Sequence, residues 1–124
     1  MKFLDQKRAK PNKQQCNASI RNVGDALYAI GGKWTLRVII ALSEGNKRFN
    51  ELQRAIDGIS AKVLSHELKE MELIGFVKRN VDTGPPVVVE YELTEYSNTL
   101  DDVVLALSTW GAMHREKIRK EGQE

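Results

Sequence analysis

A chain of 124 residues, 41% hydrophobic and 29% charged, holds one domain's worth of core, which excludes wholesale disorder and leaves no room for a second domain. No apolar run approaches the ~18 residues of a membrane helix, and the start, MKFLDQKRAK, lacks a signal peptide's apolar stretch, so no membrane partner and a cytoplasmic location are expected. The net charge of +2 hides a division: residues 1–21 carry six basic side chains against Asp5 alone, while residues 81–111 carry six carboxylates and no lysine or arginine. Only part of such a surface suits an anionic partner.

Residues 1–15 are polar, aperiodic and contain Pro11, and read as a mobile basic tail. Ile20, Val23, Leu27 and Ile30 then recur at helical spacing, with Asn17 or Ser19 as the N-cap and Gly31-Gly32 as the stop. The run WTLRVIIAL, from Trp34 to Leu42, is apolar nearly all round, as a short buried helix would be, and Gly45 follows it as a stop. Lys33 and Trp34 read as the start of that helix with a buried ring. A phosphate loop fails here, because Leu27 stands where it needs glycine and Trp34 where it needs Ser or Thr.

Phe49, Leu52 and Ile56 form the next stripe, closed by Asp57-Gly58. Ser60 is a strong N-cap for a further helix that carries Leu64, Leu68 and Met71 on one face and stops at Gly75. Two helices joined by so short a glycine-containing link have the spacing of a helix-turn-helix. The period then changes to alternation. Residues 76–81 and 87–93 are rich in β-branched and aromatic residues, and Asp82-Thr83-Gly84-Pro85-Pro86 between them predicts a β-hairpin. Thr94 caps the last helix, with Leu100, Val103, Val104, Leu107 and Trp110 as its stripe, and the charged end frays over 121–124. The expected fold is α+β, a winged helix-turn-helix of about five helices and one β-hairpin wing.

Several runs in order resemble one family. IGGKWTLRVIIAL, then RFNELQRAIDGISAKVLSHELKEMELIGFVKR, then VEYELTEYSNTL are similar to the HxlR-type transcriptional regulators, relatives of the MarR group, over roughly residues 16–111. The resemblance implies a small, dimeric, bacterial DNA-binding regulator. It also implies a role for Cys16, because related regulators include oxidant and electrophile sensors with a cysteine at this N-terminal position. One departure is Asn17, where a proline often follows that cysteine.

With Leu64, Leu68 and Met71 inward, the helical period turns Lys62, Ser65, His66 and Lys69 outward as base-reading candidates, with Ser60 at the helix start. An ordinary solvated face would show similar residues; the short turn before it favours DNA. Lys47, Arg48 and Asn50 open the preceding helix and are phosphate-clamp candidates. On the wing, Arg79 and Thr83 are the candidate contacts, with Asp82 a discordant charge. Cys16, the single cysteine, excludes a disulfide within the chain and a zinc site built on several cysteines. It reads as a possible redox sensor lying just before a helix, or as a small packing residue. The two histidines stand 48 positions apart, so no metal site and no cofactor are expected.

The first helix and the Leu100–Trp110 stripe carry more apolar residues than a three-helix core can cover, which predicts a homodimer through those two elements. The expected function is sequence-specific binding of double-stranded DNA at a pseudo-palindromic operator, by a domain spanning residues 16–120. The alternative is a winged-helix module that binds protein, which would want an apolar outer face. An enzyme is a remote third, since no acid–base pair, nucleophile arrangement or cofactor loop is present. The operator, the sign of regulation and any small-molecule effector are not readable from the residues.

Overall fold

The computed structural model describes residues 10–122. Helix α1 spans Lys13–Ile30. It opens earlier than the apolar period predicts, because Asn12 and Gln15 cap it reciprocally: Asn12 Oδ1 accepts from the Gln15 N–H and Gln15 Oε1 accepts from the Asn12 N–H, both at 2.8 Å. Hydrophobic spacing marks where packing begins, and the cap marks where hydrogen bonding begins. Residues 13–15, expected in the tail, are therefore helical, and Cys16 lies inside the first turn, its N–H bonded to the Asn12 carbonyl. Residues 1–9 of the expected tail, and 123–124 of the expected frayed end, lie outside the described residues.

Helix α2 (Thr35–Leu42) buries Val38, Ile39, Ala41 and Leu42. Trp34, expected to be buried, is only half-buried: the Lys33 ammonium and the Arg37 guanidinium sit 4.8 and 5.5 Å from its ring centroid. Helix α3 (Phe49–Ala55) and helix α4 (Ala61–Ile74) follow, joined through Ile56–Ser60. Ser60 caps α4 as predicted, its Oγ accepting from the Val63 N–H at 3.1 Å. Gly75 ends it with φ +101°, a left-handed conformation that a side chain would strain.

The hairpin forms from β2 (Val77–Asp82) and β3 (Val88–Leu93), with Val77 opposite Leu93 and Asp82 opposite Val88. A two-residue strand, β1 (Lys47–Arg48), was not foreseen. It pairs antiparallel with β3, Lys47 opposite Tyr91, so the sheet order is β1-β3-β2. Two residues are too few for any period to show.

The predicted last helix is split. Thr94 caps a 3₁₀ segment, Glu95–Leu100, which continues into helix α5 (Asp101–Gly122). Ser97 Oγ donates to the Thr94 carbonyl at 2.6 Å and Thr99 Oγ1 to the Tyr96 carbonyl at 2.7 Å. Such back-bonding hydroxyls accompany the tighter winding. Thr94 also donates from Oγ1 to the Gly75 carbonyl at 2.5 Å, tying the foot of the wing to the end of α4.

One core gathers α2, α3, α4 and the base of β2: Val38, Leu52, Leu64, Leu68, Met71 and Phe76 are almost wholly shielded. Helix α1 adds only Ile30, and α5 has no buried residue.

Candidate nucleic-acid interface

Helix α4 is divided by its period as the spacing predicts. Leu64, Leu68 and Met71 point into the core, while Lys62, His66 and Lys69 are exposed and Ser65 is half-buried. Ser60 Oγ is engaged as the cap acceptor, which leaves its hydroxyl proton available. The start of α4 contains no acidic residue, so its free N–H groups present an undiminished positive end.

Glu67 follows His66, yet it does not add a carboxylate to this face. Its half-buried side chain turns back, and Oε1 accepts from Thr35 Oγ1 at 2.9 Å. That bond ties α4 to the first residue of α2, which lacks a side-chain cap of its own. Sequence patterns do not reveal this pair. Its one signal is that Glu67 falls three residues after Leu64, at the edge of the buried stripe.

The phosphate candidates meet at the start of α3 and on β1. Lys47 Nζ lies 3.5 Å from Glu44 Oε1, and Arg48 Nε lies 3.7 Å from Glu51 Oε1. Glu51 Oε1 also accepts the Arg48 backbone N–H at 2.8 Å. That bond, with the positive charges of Arg48, Arg54 and Lys47, holds the Glu51 carboxyl below the ordinary carboxylate range. An ion pair as exposed as Arg48–Glu51 is worth little, so an incoming phosphate can replace the carboxylate on Arg48, whereas the Lys47 side chain is half-buried. Asn50 is exposed in the first turn of α3.

The wing sorts its charges by face. Lys78 and Asn80 share one face with Glu92: Lys78 Nζ lies 3.5 Å from Glu92 Oε1, and Asn80 Nδ2 donates to the same oxygen at 2.8 Å. The Asn80 bond, then the Lys78 charge, pulls the Glu92 carboxyl below its ordinary range. Arg79 lies opposite Tyr91 on the other face, exposed and without an ion pair among the described residues. Burial, together with the Glu72 charge and against that of Arg79, pushes the Tyr91 phenol up. Thr83 is exposed at the tip. Asp82 is less discordant than expected, because its Oδ1 accepts from the Gly84 N–H at 3.1 Å and shapes the turn.

Cys16 stands apart from this surface. It is a half-buried free thiol on α1, on the face that also carries Ile20, Val23 and Leu27. Those three are exposed, as are Leu105, Leu107, Trp110 and Met113 of α5. No described helix is long and apolar enough to cross a membrane.

A helix-turn-helix whose second helix shows a polar outer face, flanked by a β-hairpin, defines a winged helix-turn-helix regulator. The profile of the HxlR-like helix-turn-helix family matches residues 29–119. The chain is similar to YybR, an HTH-type transcriptional regulator of Bacillus subtilis, with 37% identity over 114 residues, covering 92% of this chain and 87% of that one. Among solved structures it is similar to the redox regulator HypR in its reduced form, with TM-score 0.74 and 37% identity over 80% of this chain and 98% of that one. It is also similar to a MarR-family regulator from Enterococcus faecalis V583, with TM-score 0.69 and 37% identity over 89% of this chain and 94% of that one. The chain belongs to the HxlR-like helix-turn-helix family, and it is a DNA-binding transcriptional regulator of the helix-turn-helix type.

Proposed function

We propose that the chain acts as a homodimer that reads a pseudo-palindromic operator in double-stranded DNA, with no enzymatic step and no cofactor. The observation that carries this reading is the outer face of α4. Lys62, Ser65, His66 and Lys69 stand opposite a sealed apolar stripe, on a helix whose start is capped and free of acid. Side chains of this kind hydrogen-bond base edges in the major groove. Ser60 at the helix start belongs with this base-reading set, and Lys47, Arg48, Asn50, Arg79 and Thr83 would hold phosphates and fix the register. The protein-binding alternative loses ground, because this outer face is polar where such a module wants apolar residues.

Dimerisation through α1 and α5 accounts for their uncovered stripes. Ile20 is 72% exposed, Leu27 59% and Trp110 58%. Apolar surface so placed wants a partner, and a second copy offers a matching one. Cys16 shares the α1 stripe, so a change at its sulfur would be felt at that interface. The relative HypR has been solved in reduced and oxidised forms, which supports a redox role for the thiol here. The working unit is residues 16–120, acting in the cytoplasm.

Footprinting upstream of the gene that encodes this chain tests the reading. Two protected half-sites about one helical turn apart are expected, and protection without symmetry, or none at any fragment, would overturn it. Mild diamide should change operator affinity in the wild type and leave Cys16→Ser unaffected. Because the chain has one cysteine, any disulfide should run as a covalent dimer on a non-reducing gel.

A further inference from the structure

Helix α4 is seated on the core through Leu64, Leu68 and Met71, which occupy a narrow arc of its surface and are sealed from solvent. Apolar burial is non-directional, so this stripe sets the placement of the helix more firmly than its rotation. Rotation matters most at the outer face. With side chains reaching about 5–6 Å from the helix axis, a turn of about 20° carries the tips of Lys62 and His66 through about 2 Å. A hydrogen bond to a base edge does not survive such a displacement.

One directional bond stands at the edge of the stripe. Glu67 lies between Leu64 and Leu68 in the chain, and its Oε1 accepts from Thr35 Oγ1 at 2.9 Å. Among the described residues, no other side-chain hydrogen bond joins α4 to another helix. Thr35 is only 7% exposed, so water competes poorly for the bond. The donor is itself firmly held, because Thr35 opens a helix that buries Val38, Ile39, Ala41 and Leu42.

The same bond disposes of a charge. Glu67 is the only carboxylate between Ala61 and Lys69, and it follows His66 directly. A glutamate released from Thr35 could swing towards the outer face, where its charge would repel phosphate.

We propose that Glu67 is a positioning residue: through Thr35 it sets the rotation of α4, and thereby the preference for the operator over other duplexes, without touching DNA. The consequence for the operator rests on the DNA-binding reading; the rotation is a property of the free chain.

The test compares two pairs of variants of the full chain. Thr35→Val and Glu67→Met remove the donor and the acceptor at similar volume, whereas Thr35→Ser and Glu67→Gln keep them. Glu67→Gln also removes the charge, which separates the bond from the electrostatics. Circular dichroism establishes that each variant keeps its helices. Residual dipolar couplings of the α4 amides, set against those of α2, report the rotation without DNA. They should change in the first pair and stay at the wild-type values in the second. The ratio of operator affinity to affinity for unrelated duplex should fall by about tenfold in the first pair and hold within about twofold in the second. Thr35→Val alters no charge, so its salt slope should match the wild type.

A bond that only stabilised the fold would lower melting in the first pair and leave couplings and ratio alone, and that result would overturn the proposal. So would a loss of preference in Glu67→Gln as large as in Glu67→Met, or rotated couplings with the preference intact. A wild-type chain that prefers no duplex would overturn the DNA reading, and the couplings would still decide the rotation.

Discussion

In α4 the apolar residues Leu64, Leu68 and Met71 are sealed from solvent, whereas in α5 Leu105, Leu107 and Trp110 are more than half exposed. Both helices carry a stripe at helical spacing. The difference lies in what covers it: α4 is clasped by α2, α3 and the base of the wing, while α5 extends from the 3₁₀ segment with no buried residue of its own. The helix-turn-helix is thus a finished core, whereas α1 and α5 each leave apolar residues uncovered. A helix clasped along its apolar face is held in place with its polar face outward. A helix with an open apolar face is where the proposed dimer would close, and it would then set the distance between two copies of α4.

Core and stripe can be separated by mutation. Leu64→Ala should cost about 2–5 kcal/mol in urea unfolding, the range for a fully buried leucine. Leu27→Ser removes an exposed side chain and should cost within about 0.5 kcal/mol when measured on the monomer. The same substitution should shift sedimentation towards monomer. A Leu27→Ser chain that unfolds like Leu64→Ala, or that stays dimeric, would break the contrast.

The outer face of α4 gives the next effect. Lys62→Ala and His66→Ala should each weaken operator binding by about 1–3 kcal/mol and relax specificity at one base position. Melting should stay at the wild-type value, because both side chains are exposed. Wild-type affinity in the double variant would remove this helix from the interface.

Smaller changes are expected from the side chains proposed to meet the DNA backbone. In each subunit, Arg48→Ala and Arg79→Ala should reduce the slope of log affinity against log salt by about 0.9 for every phosphate left without its cation. Lys78→Ala should change it less, since Lys78 is paired with Glu92. Equal effects from Lys78 and Arg79 would mean that the two faces of the wing are not distinguished by DNA.

The smallest effect is a titration on the wing. Glu92 should protonate below its ordinary value of 4.5, and Asn80→Ala should move the midpoint back up, because the Asn80 amide is the main cause of the depression. Since the folded-state value is the lower one, this contribution is present above the unfolded pKa and lost as pH falls through the folded one. Carbon-detected NMR of the Glu92 carboxyl reads it directly.

Sequence reading reached furthest where local chemistry and tertiary packing agree. Ser60 as cap, Gly75 as stop and the Leu64–Leu68–Met71 stripe were legible because capping, left-handed backbone and helical period act over a few residues. The longest of the runs carrying the family resemblance includes this region. Where signals conflict or fall short, the residues were silent. The start of α1 has a polar cap without apolar period, β1 has two residues, and the 3₁₀ segment depends on hydroxyls bonding backward. Thr35–Glu67 joins residues 32 apart. No spacing rule connects such positions, since only the folded chain brings them together. The sequence alone determined which faces are apolar, which ends are capped and which side chains face outward from α4. Tertiary structure decided which apolar faces are covered, because burial depends on the neighbours that packing supplies.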